Sequence, residues 1–161
     1  MDVQKLKNGW LDFFNQQEFT HAVTLKPNDR SFGRSVPALH SRFVSLFVRV
    51  NRALLGTRSN EACRRHEQLP AVAIVEGLPD VGHLHCAFKV REELWSEFEH
   101  QFAPIRHGGK DVWSRLVPNG STKTVRIWEA GGWHDYSMKQ VWQVEHTDRI
   151  IILPEPVSNR S

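Results

Sequence analysis

Residues 76–89, EGLPDVGHLHCAFK, predict a β-hairpin at the centre of the fold. An apolar run at 71–75 leads into a Gly-Leu-Pro-Asp turn signal, and a second strand then opens with a His-Leu-His sequence. Because side chains alternate along a strand, His83 and His85 point to the same face. A tight turn would place Glu76 opposite His83 on that face. The hairpin thus predicts a metal site with three ligands. The alternative is that the three are ordinary strand and surface residues that bind no metal.

Length and composition predict one globular domain. The chain has 161 residues, of which 40% are hydrophobic, with six Trp and nine Phe. We expect a core over about 17–153 and a polar tail over 154–161. No apolar run is long enough for a membrane span, residues 1–10 lack the apolar segment of a signal peptide, and two cysteines are too few for a disulfide framework. A cytoplasmic protein with no membrane partner is therefore expected.

The hydrophobic pattern predicts an α+β fold. The predicted helices are 3–14, 37–55, 91–102 and 133–143, and the predicted strands are 19–25, 70–76, 82–90, 112–117, 124–128 and 150–153. Polar stretches at 30–36 and 58–68 are predicted as loops. This order is a split β-α-β pattern of the ferredoxin-like or RRM-like kind. It predicts a central antiparallel sheet with helices on one face and the active site on the other.

A second group of reactive side chains occurs late in the chain. Tyr136 is the only tyrosine, and Lys139 follows it at i+3, so the two would share one face of the predicted helix 133–143. An ammonium at that position favours the phenolate form of a phenol whose ordinary pKa is about 10. Alone, such a pair is also common on the surface of an amphipathic helix.

Together these residues resemble the HUH endonucleases, specifically the single-tyrosine replication initiators of rolling-circle plasmids, phages and single-stranded DNA viruses. The family carries three motifs in order, and the chain offers FTHAVTL at 19–25, HLH at 83–85 and DYSMK at 135–139. The second and third match the family's His-hydrophobe-His and Tyr-x-x-Lys patterns, whereas the first matches as an apolar strand containing threonine. Glu76 falls where many members place a third metal ligand. The resemblance covers residues 19–143.

The resemblance implies an enzyme that nicks and rejoins single-stranded DNA at a replication origin. Tyr136 would form a 5′-phosphotyrosine intermediate with help from Lys139, and Glu76, His83 and His85 would hold one Mg²⁺ or Mn²⁺ ion. The ligand types by themselves suit zinc equally well. The implied DNA partner is single-stranded DNA or an origin hairpin. Because the chain contains no P-loop pattern, the resemblance also implies a separate helicase, unless the chain is the nuclease portion of a longer protein. The implied location is the cytoplasm of a bacterial host cell rather than a host nucleus.

Candidate DNA contacts are basic or aromatic residues, which bind phosphates or stack on bases. They are Lys26, Arg30, Arg34, Lys89, Trp128 and Trp133, with Arg58, Arg64, Arg65 and Lys123 as further members of a basic patch. Each of them taken singly is more typical of an ordinary surface or core residue.

Two other functions fit the same predicted sheet. A non-catalytic RRM-like domain would bind single-stranded nucleic acid through exposed aromatic side chains on the sheet. A metal-dependent phosphodiester hydrolase would use Glu76, His83 and His85 to activate water, and Tyr136 would then be structural. Removing the Tyr136 hydroxyl separates the hydrolase from the nicking enzyme.

Overall fold

The computed structural model describes residues 3–103, 109–128 and 147–155. The helices and strands follow one another as α1 (Val3–Gln17), β1 (His21–Lys26), α2 (Arg30–Gly33), α3 (Val36–Leu55), β2 (Ala71–Glu76), β3 (His83–Phe88), α4 (Trp95–Phe102), α5 (Val112–Leu116), β4 (Ser121–Arg126) and β5 (Ile150–Leu153). Short 3₁₀ turns precede β2, α4 and β5, at Ala62–Glu67, Glu92–Leu94 and Thr147–Arg149.

The five strands form one antiparallel sheet in the order β4-β1-β3-β2-β5. The chain order β1, α3, β2, β3, α4, β4 is the split β-α-β pattern, and β5 adds a fifth strand beside β2. The predicted α+β fold, of a kind consistent with ferredoxin-like and RRM-like domains, is confirmed. The predicted strand at 150–153 is also confirmed, as β5.

The main core lies between one face of the sheet and the helices α3, α4 and α5. The long helix α3 begins after Ser35, whose hydroxyl accepts a hydrogen bond from the Ala38 amide, and ends at Gly56, which has a φ of +95°. Its buried apolar side chains recur at helical spacing and are Leu39, Phe43, Leu46, Phe47 and Val50. They pack with the alternate residues of the strands, such as Leu84 and Phe88, and with Phe98 and Trp113 of α4 and α5. The opposite face of the sheet is thereby left for the candidate site.

The first helix, α1, lies on that opposite face but covers a different part of it. Its buried Phe14 packs in a second cluster with Phe19, Val72, Ile74 and Ala87. These positions lie toward the end of the sheet away from the β2–β3 turn. The predicted helix 3–14 is therefore confirmed, and α1 packs on a part of this face away from the β2–β3 turn.

The strand predicted at 112–117 is wrong, because this segment is the helix α5. Asp111 caps the helix, and its carboxylate accepts a hydrogen bond of 2.7 Å from the Ser114 amide. Val112 and Trp113 are adjacent in sequence and both buried, which a one-turn helix permits and an alternating strand does not. A short apolar run does not by itself distinguish a buried strand from a turn of helix.

Other differences concern the ends of elements. The loop predicted at 30–36 contains α2, which is capped by Asp29 through a 2.8 Å hydrogen bond from the Ser31 amide. The loop predicted at 58–68 contains the first 3₁₀ turn. Strand β4 begins three residues before the predicted strand 124–128, directly after the turn at Asn119, whose φ is +65°. The predicted helix 133–143 lies outside the described residues.

Candidate metal centre and adjoining groove

The β2–β3 hairpin brings the three predicted metal ligands together. In the antiparallel register Glu76 lies directly opposite His83, and Ile74 lies opposite His85. The two histidines are two residues apart on β3 and so project from the same face as Glu76. The predicted juxtaposition of the carboxylate and both imidazoles is confirmed.

The ligand atoms converge closely. His85 Nε2 lies 3.1 Å and His83 Nε2 lies 3.6 Å from Glu76 Oε2. The two Nε2 atoms are 3.2 Å apart, and the rings meet edge to face at an interplanar angle of 80°. One donor atom from each residue lies within 4.8 Å of the others, so this group could hold a metal ion.

The two neighbouring histidines keep the Glu76 carboxylate ionised, the form that binds a metal. Burial alone would raise the pKa of this carboxyl group, but hydrogen bonds from His83 and His85 and coulombic attraction to their rings lower it to about 2. Its second oxygen, Oε1, is buried and has no hydrogen-bond partner among the described residues. A buried carboxylate oxygen without a partner is costly unless a cation or water satisfies it. Two imidazoles and a carboxylate are also a donor set typical of divalent metal sites.

An open groove of about 610 Å³ adjoins the metal ligands on the sheet face. It is lined by Thr24, Lys26, His83, His85, Ser121, Thr122 and Lys123. The register explains this grouping, because Thr24 of β1 pairs with His85 on one side and with Lys123 of β4 on the other. The backbone at Lys26 is held by the buried Trp113, whose indole N–H donates to the Lys26 carbonyl at 3.0 Å. The groove therefore continues from the ligands across β1 to the edge strand β4.

The groove carries two lysines whose charge is not paired with any acidic side chain in the described ranges. Lys26 and Lys123 are exposed, and neither forms an ion pair within the described ranges. Arg58 and Arg64, by contrast, pair with Glu61 and Glu67. Beside a group suited to a divalent cation, the groove therefore presents positive charge that none of the described acidic residues neutralises.

The other described candidates for DNA contacts do not line this groove. Lys89 follows β3 at the end opposite to His83, with its ammonium 3.5 Å from Glu18. Arg30 and Arg34 border the short helix α2 and do not line the groove; Arg30 lies 3.9 Å from Asp80. Trp128 is 82% exposed but follows the end of β4 that is distant from Ser121. Of the predicted basic contacts, the structure thus brings Lys26 and Lys123 to the metal ligands.

The predicted nucleophile lies outside the described residues. Tyr136 and Lys139, and with them the stacking candidate Trp133, belong to the range 129–146. Their roles stay predictions from the sequence.

Sequence reasoning does not single out Thr24 or Gly77 as site residues. The Thr24 hydroxyl lies 3.4 Å from His85 Nδ1, and Gly77 stands directly against the His83 ring. The sequence does contain a signal for Gly77, because this glycine directly follows a predicted ligand at the start of a turn. The Thr24 contact joins residues 61 positions apart and has no local signal.

No protein-family model, curated protein or solved structure matches the chain. In the ranges that the structure describes, no helix combines the length and the apolar character needed to cross a bilayer.

The lowered pKa of Glu76 predicts a loss of stability in acid. Because its folded pKa of about 2 lies below the ordinary value of 4.5, the ionised carboxylate stabilises the fold above pH 4.5, and this contribution disappears as the pH falls through 2. The difference corresponds to about 3 kcal/mol of unfolding free energy. We expect the stability difference between the wild type and Glu76→Gln to shrink between pH 4.5 and 2 in urea titrations with chelator present. A difference that stays constant over this range would contradict the assigned pKa.

Proposed function

We propose that this protein is a metal-dependent enzyme that nicks and rejoins single-stranded DNA through a covalent tyrosine intermediate, of the type that initiates rolling-circle replication. The observation that carries the proposal is the convergence of Glu76, His83 and His85 beside a groove whose two lysines have no acidic partner among the described residues. A divalent cation next to a cationic groove suits a phosphodiester substrate. The sequence adds Tyr136 and Lys139 as the nucleophile and its partner.

In this proposal the hairpin and the groove have separate tasks. The Glu76 carboxylate and the imidazoles of His83 and His85 would hold one Mg²⁺ or Mn²⁺ ion. When bound, the ion polarises the scissile phosphate and offsets the negative charge that develops in the transition state. Lys26 and Lys123 bind neighbouring phosphates and so orient the strand across β1 and β4.

The chemical step is a transesterification. The Tyr136 oxygen forms a bond to phosphorus, the bond from phosphorus to the 3′-oxygen breaks, and the 3′-oxygen takes up a proton to become a free hydroxyl. The phenol proton passes to solvent, and Lys139 stabilises the phenolate that remains. The phosphodiester energy is retained in the phosphotyrosine, so a 3′-hydroxyl can reverse the reaction and rejoin the strand.

The described part of the sheet supports this function over a purely RRM-like binding role. The described residues that line the groove offer imidazoles, lysines and hydroxyl groups, and none of these residues is Phe, Tyr or Trp. The large aromatic side chain that is strongly exposed in the described ranges is Trp128, beyond the far end of β4. Stacking platforms of RRM type place such residues on the sheet face itself.

Capture of the covalent intermediate tests the proposal directly. The protein is incubated with Mn²⁺ and a pool of single-stranded DNA carrying different fluorophores at its 5′ and 3′ ends, and the products are separated on a denaturing gel. We expect the 3′ label to migrate with the protein and the 5′ label to appear on a shorter free strand, and EDTA to abolish both products. Cleavage with both labels free would identify the hydrolase instead, and binding without cleavage would identify a non-catalytic domain.

The groove lysines are expected to set the salt dependence of DNA binding. Lys26→Ala and Lys123→Ala should each weaken binding to a single-stranded oligonucleotide and lower the slope of log affinity against log salt by about 0.7, the value for one released phosphate contact. Lys89→Ala is the matched control, because it removes the same charge at the distant end of β3, where the ammonium faces Glu18. Fluorescence anisotropy in EDTA measures binding without cleavage. If the slope changed equally in all three variants, the proposal that the DNA strand runs past Lys26 and Lys123 would be refuted.

A further inference from the structure

The two imidazoles turn the same ring nitrogen toward Glu76. In both histidines Nε2 faces the carboxylate, at 3.6 Å for His83 and 3.1 Å for His85. The Nδ1 atoms consequently face other parts of the protein. What stands behind each Nδ1 decides whether its ring can present the Nε2 lone pair to a cation.

Behind His85 stands the hydroxyl of Thr24. Strand pairing places the two residues directly opposite each other on β1 and β3, and Thr24 Oγ1 lies 3.4 Å from His85 Nδ1. A neutral imidazole carries its proton on one nitrogen and a lone pair on the other. If Thr24 accepts a hydrogen bond from Nδ1–H, the lone pair is on Nε2, which faces Glu76. The χ1 angle of a β-branched threonine is restricted, so the hydroxyl is held in place.

Behind His83 stands Gly77, the first residue of the turn. A Cβ atom on Gly77 would lie 2.8 Å from His83 Nδ1 and 2.8 Å from the Val81 carbonyl oxygen, closer than real Cβ contacts. The φ of Gly77 is +82°, a region that side-chain-bearing residues rarely adopt. The missing side chain therefore leaves the space that the His83 ring occupies when its Nε2 meets the other ligand atoms.

We infer that Thr24 and Gly77 are positioning residues of the metal centre: Thr24 selects the His85 tautomer whose Nε2 binds the ion, and Gly77 makes room for the binding orientation of His83. The inference rests on the metal-binding part of the proposed function and adds two residues that are not themselves ligands of the ion. Both act through the histidine rings, so their replacement alters the affinity for the cation.

The role of Thr24 is tested by separating its hydroxyl from its shape. Thr24→Val keeps the branched side chain but removes the acceptor, and we expect Mn²⁺ to bind about tenfold more weakly, as measured by calorimetry. Thr24→Ser restores the hydroxyl and should bind Mn²⁺ within about twofold of the wild type. Thr124→Val is the matched control, because the buried Thr124 hydroxyl has no hydrogen-bond partner among the described residues.

A second measurement follows the proton on His85 Nδ1 in protein loaded with Zn²⁺. When Nε2 binds the ion, the neutral ring carries its proton on Nδ1, where the Thr24 hydroxyl can accept a hydrogen bond from it. In ¹⁵N-labelled protein we expect this N–H signal to be sharp and slow to exchange with solvent in the wild type and in Thr24→Ser. In Thr24→Val the proton should exchange faster and its signal should broaden.

The control for the role of Gly77 is Gly56, a second glycine with a positive φ. Gly77→Ala and Gly56→Ala both place a side chain at positive φ, but a Cβ on Gly56 has no atom within 4 Å. Strain alone would therefore destabilise both variants and leave Mn²⁺ affinity intact. We expect Gly77→Ala to bind Mn²⁺ at least about tenfold more weakly while Gly56→Ala binds like the wild type. Urea unfolding confirms that each variant is folded under the binding conditions.

The outcomes separate this inference from the proposed function. If the wild type binds Mn²⁺ and both Thr24→Val and Gly77→Ala bind it equally well, the positioning roles are wrong and the metal centre stands. If the wild type binds no Mn²⁺, Zn²⁺ or Mg²⁺, the metal centre itself is wrong, and the inference falls with it. If Gly77→Ala is unfolded, Gly77→Asn replaces it, because asparagine tolerates a positive φ better than other side-chain-bearing residues and still carries the Cβ. An unaltered His85 Nδ1 proton signal in Thr24→Val would by itself overturn the role of Thr24.

Discussion

Replacing Tyr136 with Phe is expected to abolish the protein–DNA adduct and to slow strand cleavage by about 1,000-fold or more. The phenylalanine ring keeps the shape of the side chain and lacks the oxygen that would attack phosphorus. The chain contains no second tyrosine that could replace it. The measurement is the rate at which a labelled oligonucleotide becomes linked to protein in Mn²⁺, followed on denaturing gels.

The adjacent hydroxyl provides the control for this experiment. Ser137→Ala removes a different possible nucleophile one residue away and should leave adduct formation within about threefold of the wild-type rate. Binding of the oligonucleotide in EDTA should be the same for Tyr136→Phe and the wild type. Cleavage that persists in Tyr136→Phe without an adduct would show that water is the nucleophile, and an adduct that persists would show that another side chain is.

Replacing His85 with Ala is expected to reduce the cleavage rate by about 1,000-fold while leaving DNA affinity within about threefold of the wild type. His85 Nε2 is 3.1 Å from Glu76 Oε2, so the variant loses one of three metal ligands, and a bound cation contributes several kcal/mol to transition-state stabilisation. DNA affinity depends on phosphate contacts made elsewhere in the groove. His83→Ala should behave in the same way.

The matched histidine is His66, which lies outside the groove with a side chain that is 76% exposed. His66→Ala should cleave DNA and bind Mn²⁺ at wild-type levels. Thermal unfolding of all three variants in EDTA tests whether the substitutions preserve the fold. If His85→Ala lost binding and cleavage to the same extent, the division between a metal centre and phosphate-binding lysines would be wrong.

Much of the fold could be predicted because its main elements have strong local signals. The apolar stripe along α3 is visible in the sequence, and the predicted helix 37–55 matches the observed Val36–Leu55 to within one residue. The segment 112–117 could not be assigned correctly, because five apolar or small residues fit both a short strand and one helical turn. Only the Asp111 cap and the burial of Trp113 against the core favour the helix.

The metal ligands could be predicted for a similar reason. The alternation of β3 puts His83 and His85 on one face, and the short turn brings Glu76 opposite His83. All three residues lie within a single hairpin, so no long-range information was needed. The candidate nucleophile Tyr136 rests on the sequence pattern alone.

The sequence by itself determined the hairpin and its three ligands, whereas only the tertiary structure decided what surrounds them. The placement of Lys26 and Lys123 beside the histidines, the exclusion of Lys89, and the contact of Thr24 with His85 depend on the register of β1 between β3 and β4. That register joins segments separated by most of the chain. It is set by the packing of buried side chains on the other face of the sheet, and spacing within any one segment does not encode it.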